Sequence, residues 1–210
     1  MEKHYIFDLD GTLIDSASVI AKGVYDFFDE RGVEYPPDIV KIIMPMGYFG
    51  FAQHAISLGV KGDPSEIAEA MANNFEIYYS TKIKLKPFAK EFIEKLVANG
   101  AHCHVLTGSP HRLADPCIRN NGIAHLLDNI WSIDDFLIQK SDPRLYYTIA
   151  ERLGVSLSDI CFLDDNCTVV KTCKELGLNV IAVYDVTSEE YKEEMMSVAD
   201  KYIFSFDELL

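Results

Sequence analysis

Positive charge is scarce in this sequence: 19 Lys and Arg stand against 33 Asp and Glu, a formal net charge of −14 with a sequence pI near 4.7. A surface of that sign repels a phosphate backbone, so nucleic acid is not an expected partner. Long apolar runs are missing too. None approaches the roughly 18 residues that would suggest a membrane span, and the opening MEKHYIF has no apolar segment of signal-peptide length. A cytoplasmic protein that does not enter membranes is the expectation. The five cysteines (Cys103, Cys117, Cys161, Cys167 and Cys173) are odd in number and contain no CxxC pair. That argues against a disulfide framework and for reduced, buried thiols. Internal repeats and low-complexity tracts are also absent.

What is present suits a packed domain. At 210 residues with 49% apolar content, the chain can bury its own core as one domain, or one domain with a smaller insert. A monomer is the default, and an aromatic-rich stretch leaves a dimer open. Short apolar runs alternate with helical periodicity, which predicts an α/β fold with a mostly parallel, Rossmann-like sheet. The expected strands are YIFDLD (5–10), AHCHVLTGS (101–109), NIWSI (129–133), ICFLDD (160–165), NVIAVYD (179–185) and a short KYIF (201–204). Punctuated helices lie between them. One is expected from Pro87 to Gly100, with Phe88, Phe92, Leu96 and Val97 facing inward. Another starts at Ser141 or Asp142 with Pro143 in its first turn. A third starts at Asn166 and ends at Gly177. From Ser16 to Lys84 there is no convincing strand. Two helical patterns fill part of that stretch, one ending at Gly32 and one capped by Asp63 and Glu66. The expected organisation is an α/β core of residues 1–15 and 86–210, with a helical insert of residues 16–85 after the first strand.

In an open parallel sheet, ligands bind beyond the carboxyl ends of the strands. Asp8 and Asp10 follow the first strand. Thr107, Gly108 and Ser109 follow the second. Asp164, Asp165 and Asn166 follow the fourth, and Lys140 precedes a helix start. Four carboxylates converging at one edge would repel and take up protons unless a cation joined them. Oxygen-only ligands point to a hard divalent cation, with Mg²⁺ expected. A hydroxyl, a glycine amide, a helix start and a lysine suit a phosphate group.

The motifs carry a family resemblance. DLDGTLIDS, VLTGS, the lysine of QKSDPRLY and FLDDN resemble, in order, the four motifs of the haloacid dehalogenase superfamily. The helical insert resembles the C1 cap of its phosphoglycolate phosphatase and β-phosphoglucomutase branch. The resemblance implies a Mg²⁺-dependent phosphatase acting on a small phosphorylated metabolite through an aspartyl-phosphate. It implies Asp8 as nucleophile and Asp10 as the acid that protonates the leaving group and then activates water. It implies that Asp8, the Asp10 carbonyl and Asp164 or Asp165 hold the metal, while Thr107, the Gly108 amide and Lys140 hold the phosphoryl oxygens. The third motif departs by having Ser141 where a proline is usual. The mutase branch places a basic residue, commonly His, where this chain has Ile20, and that difference favours hydrolysis over the alternative, a β-phosphoglucomutase-like activity. A signalling receiver domain gathers similar groups, but it lacks D-x-D-G-T and a helical insert.

Other features read as structure. Asp15 and Ser16 are expected to cap the first insert helix, and Asn166 to cap its own helix. His102 and His104 should share a packed strand face, and His111 should sit on a helix surface. Pro116 is expected to kink or restart its helix at Asp115. The segment MPMGYFGF (44–51) should pack within the insert, with a role in selecting the leaving group as the sharper alternative.

Overall fold

The computed structural model describes residues 3–43, 46–136 and 138–210, with residues 47 and 133 described in backbone only. The chain divides into two compact units: Met1–Ala17 with Ile83–Leu210, and Ser18–Lys82.

The first unit is a six-stranded sheet. Its strands are β1 (His4–Phe7), β2 (His102–Thr107), β3 (Asn129–Ser132), β4 (Ile160–Asp164), β5 (Asn179–Val183) and β6 (Lys201–Ile203). Their spatial order is β3-β2-β1-β4-β5-β6, and every pairing is parallel. The mostly parallel, Rossmann-like α/β core expected from the sequence is therefore the fold, and all six expected strands are present. The helices of this unit are α5 (Ala89–Ala98), α6 (His111–Asn120), α7 (Ile133–Phe136), α8 (Pro143–Leu153), α9 (Cys167–Glu175) and α10 (Lys192–Val198); α1 to α4 belong to the second unit. On one face of the sheet, Ile6, Leu106, Phe162 and Val180 pack with Tyr146 and Ile149 of α8, Val170 and Cys173 of α9 and Met195 of α10. On the other, Phe92 of α5 meets Tyr5 and Phe7 edge-on, with ring centroids 6.2 Å apart in each pair.

Local chemistry fixes the helix starts. Asp142 caps α8 by accepting from the Arg144 amide, and Pro143 occupies the first turn. Asn166 caps α9, accepting from the amides of Thr168 and Val169. Two expectations need correction. The helix expected from Pro87 starts at Ala89, because Phe88 takes a left-handed conformation at φ 63°. Phe88 is consequently exposed, as is Val97, and Ile93 joins Phe92 and Leu96 on the buried side. Pro116 does not restart a helix: α6 runs unbroken from His111 to Asn120 with Pro116 inside it. The proline lies in the second turn, where it removes one i→i−4 backbone bond, and the helix continues past it with Leu113, Ala114, Cys117 and Ile118 buried.

The second unit is helical: α1 (Ala17–Asp29), α2 (Ile39–Ile43), α3 (Gly47–Ser57) and α4 (Pro64–Thr81). Asp63 caps α4 through the Ser65 and Glu66 amides. Its core gathers Val24, Phe27, Phe28, Ile39, Phe51, Ile67 and Met71. Phe51 meets Phe27 at a centroid distance of 4.9 Å and Phe28 at 6.0 Å; burying a side chain of that size stabilises by about 2–3 kcal/mol. In the 44–51 segment, Phe51 is buried and Phe49 and Met46 are exposed; Met44 and Pro45 lie outside the described residues. Ile20 is buried within α1. No described helix is long and apolar enough to cross a membrane.

Candidate active site

The site follows from strand order. β1 lies between β2 and β4, so the residues that leave the carboxyl ends of these three strands meet. The Asp8 amide extends the ladder by donating to the Leu163 carbonyl at 2.8 Å, which sets Asp8 beside the end of β4. Asp8, Asp164 and Asp165 each offer a carboxylate oxygen within 4.8 Å of the others, and all three residues are buried. Lys140, which precedes α8, reaches between two of them: its Nζ lies 2.6 Å from Asp8 Oδ1 and 2.7 Å from Asp164 Oδ2. The Tyr146 hydroxyl donates to the Lys140 carbonyl at 2.7 Å, tying this lysine to α8.

One ammonium among three buried carboxylates leaves negative charge in excess. Burial pushes Asp8 well above the ordinary carboxylate range; Lys140 pulls it down, and Asp164 and Asp165 push it up again. Burial and then Asp164 raise Asp165 to about 7, against the pull of Lys140 and the Thr12 hydrogen bond. Burial alone would weaken the hold of Lys140 on its proton, but Asp164 and Asp8 outweigh it and the net shift is upward. A small, all-oxygen set with surplus negative charge fits a hard divalent cation.

The remaining expected residues surround this cluster. Asp10 stands apart from it, and its Oδ2 accepts from the Ser109 hydroxyl at 2.7 Å. Thr107 ends β2 and is buried, and its Oγ1 accepts from the Ser109 amide at 3.0 Å. Gly108 is exposed, and among the described residues a side chain there would meet no atom within 4 Å beyond its chain neighbours.

The structure adds several supporting contacts to those expected from the sequence. Thr12 donates to Asp165 Oδ1 at 2.9 Å. Gly11 has φ +78°, and a Cβ there would lie 2.5 Å from Asp165 Oδ2; glycine serves both the turn and the close approach. The Asn166 amide donates to Asp164 Oδ1 at 2.8 Å, so the capping residue also orients an acid. Buried Asp185, after β5, pairs with Lys86 at 2.9 Å. The turn at Gly11 is legible in the sequence, and Thr12, inside DGT, could have been found from the motif; the Lys86–Asp185 pair spans distant positions and had no local signal. His111 lies between Asp115 and Asp135, 2.9 Å from each, and these carboxylates raise its proton affinity.

A family model described as haloacid dehalogenase-like hydrolase matches residues 5–183. Over 188 residues the chain is 22% identical to (S)-2-haloacid dehalogenase 4A of Burkholderia cepacia, covering 85% of this chain and 81% of that protein. Over 182 residues it is 24% identical to the phosphoglycolate phosphatase of Yersinia pseudotuberculosis, covering 84% and 78%. Among solved structures it resembles a beta-phosphoglucomutase candidate from Thermotoga maritima, with a TM-score of 0.82, 21% identity and coverage of 97% and 94%.

Proposed function

We propose, from the premise that this chain belongs to the haloacid dehalogenase-like hydrolase family, that it is a Mg²⁺-dependent phosphatase. Its substrate is a small phosphorylated metabolite, and it works as a monomer in the cytoplasm. The observation that carries the reading is the buried cluster of Asp8, Asp164 and Asp165 with Lys140 set between two of them, and a separate carboxyl, Asp10, beside it. Displacing halide from a haloacid needs neither a proton for the leaving group nor three further acids. Phosphoryl transfer uses both, so the residues favour a phosphate ester over a haloacid.

Asp8 attacks phosphorus; the new O–P bond forms as the bond to the leaving oxygen breaks, and Asp10 supplies that oxygen with a proton. Asp10 then takes a proton from water, which attacks the aspartyl-phosphate and frees Asp8 and inorganic phosphate. Thr107, the Gly108 amide and Lys140 hold the phosphoryl oxygens through transfer. Asp8, Asp164, Asp165 and the Asp10 carbonyl would hold Mg²⁺. When bound, the ion supplies positive charge against the phosphoryl oxygens. Ile20, where a mutase carries a basic residue, supports water rather than a second sugar hydroxyl as the acceptor.

The test is release of phosphate from p-nitrophenyl phosphate by purified protein with Mg²⁺. Wild type should turn over and Asp8→Asn should not; equal rates would end the proposal. With β-glucose 1-phosphate and a bisphosphate primer, free phosphate should appear, whereas glucose 6-phosphate without free phosphate would favour the mutase.

A further inference from the structure

The loop after β2 holds more than a phosphate-binding hydroxyl. Ser109 lies two residues beyond Thr107 and donates its hydroxyl to Asp10 Oδ2, across 99 positions of sequence, at 2.7 Å. An ordinary surface serine turns to water. This one is fixed on three sides. Its amide donates to Thr107 Oγ1 at 3.0 Å, its carbonyl accepts from Ser132 Oγ at 2.7 Å, and Pro110 follows at φ −66°. Ser132 is fully buried at the end of β3, and its own amide donates to Asp135 Oδ2 at 2.8 Å. Asp135 also meets His111 Nε2 at 2.9 Å, and the His111 amide donates to Asp134 Oδ2 at 3.2 Å. The segment from Gly108 to His111 is thus clamped from β3 and α7, and the clamp ends on one carboxyl oxygen of Asp10.

A carboxyl group that delivers a proton must present the protonated oxygen, and the two oxygens are equivalent unless something distinguishes them. A donor on Oδ2 makes that oxygen an acceptor and ties the carboxyl group to the loop after β2. It also limits rotation of the group, and misplacing a reacting group by about 1 Å can cost roughly 100-fold. We propose that Ser109 is a positioning residue for Asp10: its clamped hydroxyl holds Oδ2 and so orients the carboxyl group that delivers the proton to the leaving oxygen. This rests on the phosphatase reading. In the step concerned, Asp8 forms a bond to phosphorus, the bond from phosphorus to the leaving oxygen breaks with its electron pair on oxygen, and the Asp10 proton passes to that oxygen.

Leaving groups separate this role from general loop support. p-Nitrophenolate departs as a stable anion and needs little protonation, whereas an alkoxide needs it fully. With full-length protein and Mg²⁺, Ser109→Ala should lower kcat for propyl phosphate by about 100-fold and for p-nitrophenyl phosphate by less than about 5-fold, with KM for each little changed. Ser109→Thr, which keeps a hydroxyl, should recover most of the loss. Equal losses on both esters, or no loss on either, would overturn the assignment. Asp8→Asn serves as the separate control. If it stays active on the aryl ester, or if wild type cleaves neither ester, the phosphatase reading fails and this inference falls with it. If Asp8→Asn is dead and Ser109→Ala treats both esters alike, only the role of Ser109 is lost.

Discussion

The two ends of the sheet both bury ionisable groups, and they do so in opposite ways. At the carboxyl end, Asp8, Asp164 and Asp165 share one lysine, and the charges do not balance. At the amino end, His4 and His104 are buried and satisfy each other. His4 Nδ1 lies 3.1 Å from His104 Nε2, and Asn129 Nδ2 lies 3.0 Å from His104 Nδ1. The Asn129 amide nitrogen can only donate, so His104 Nδ1 accepts and Nε2 carries the hydrogen toward His4, a neutral tautomer assigned from the bonding pattern. His102, His4, His104 and Trp131 form a stack with centroids 4.8, 5.3 and 5.2 Å apart. Among the described residues, the only group placed to hold a metal is the acidic one. Buried polarity that closes on itself is architecture; buried charge that lacks a partner calls for a ligand.

The sharpest way to break that contrast is Lys140→Met. It leaves the buried acids without their ammonium, so activity should fall by about 1,000-fold or more. Unfolding without metal at pH 8 should come about 3–5 kcal/mol easier. Urea titration that finds the variant as stable as wild type would mean the cluster carries no charge deficit. Next in size is Gly11→Ala. A left-handed φ and a contact with Asp165 should cost about 1–2 kcal/mol and shift Asp165 enough to lower kcat about 100-fold. A fully active Gly11→Ala would show that Asp165 need not sit where it does.

A third prediction concerns the deficit itself. The Asp165 carboxyl is raised from 3.8 to about 7 on folding. Its contribution to stability is present below pH 3.8 and lost as pH rises through 7. A divalent cation reverses that loss, so Mg²⁺ should raise the melting temperature more at pH 8 than at pH 5. A Mg²⁺ effect independent of pH would contradict the cluster as the binding site. The histidine stack should run the other way and more gently. Burial, and then His4, lower His104 from 6.5 to about 4, with His102 adding to this and Asp128 opposing it. The unfolded chain takes up that proton below pH 6.5 and the folded one does not, so stability is lost as pH falls from 6.5 toward 4. His104→Gln should flatten that fall by up to about 3 kcal/mol; an unchanged slope would remove His104 from the account.

Much of this was legible in the sequence, for physical reasons. The three strands that build the site run apolar toward their carboxyl ends and stop at a polar residue, so Asp8, Thr107 and Asp164 mark their own positions. Asp142 and Asn166 announced their helices because capping is local chemistry. Phe88 did not: a left-handed aromatic ahead of a helix has no sequence signature, and periodicity alone put it inward. Pro116 takes one backbone bond from the middle of α6, yet Leu113, Ala114, Cys117 and Ile118 stay buried along it, and packing of that kind has no local signal. Ser109 was visible beside Thr107, but its bond to Asp10 comes from strand order, and so does the Lys86–Asp185 pair.

The central claim is that Asp8 carries the phosphoryl group during turnover. The direct measurement is to acid-quench the working protein, reduce it with borohydride and sequence the peptides by mass spectrometry, since an acyl phosphate becomes homoserine. Homoserine at position 8, formed only when substrate and Mg²⁺ are both present, is the predicted result. Turnover with Asp8 unmodified, or homoserine at Asp10, Asp164 or Asp165 instead, would contradict it.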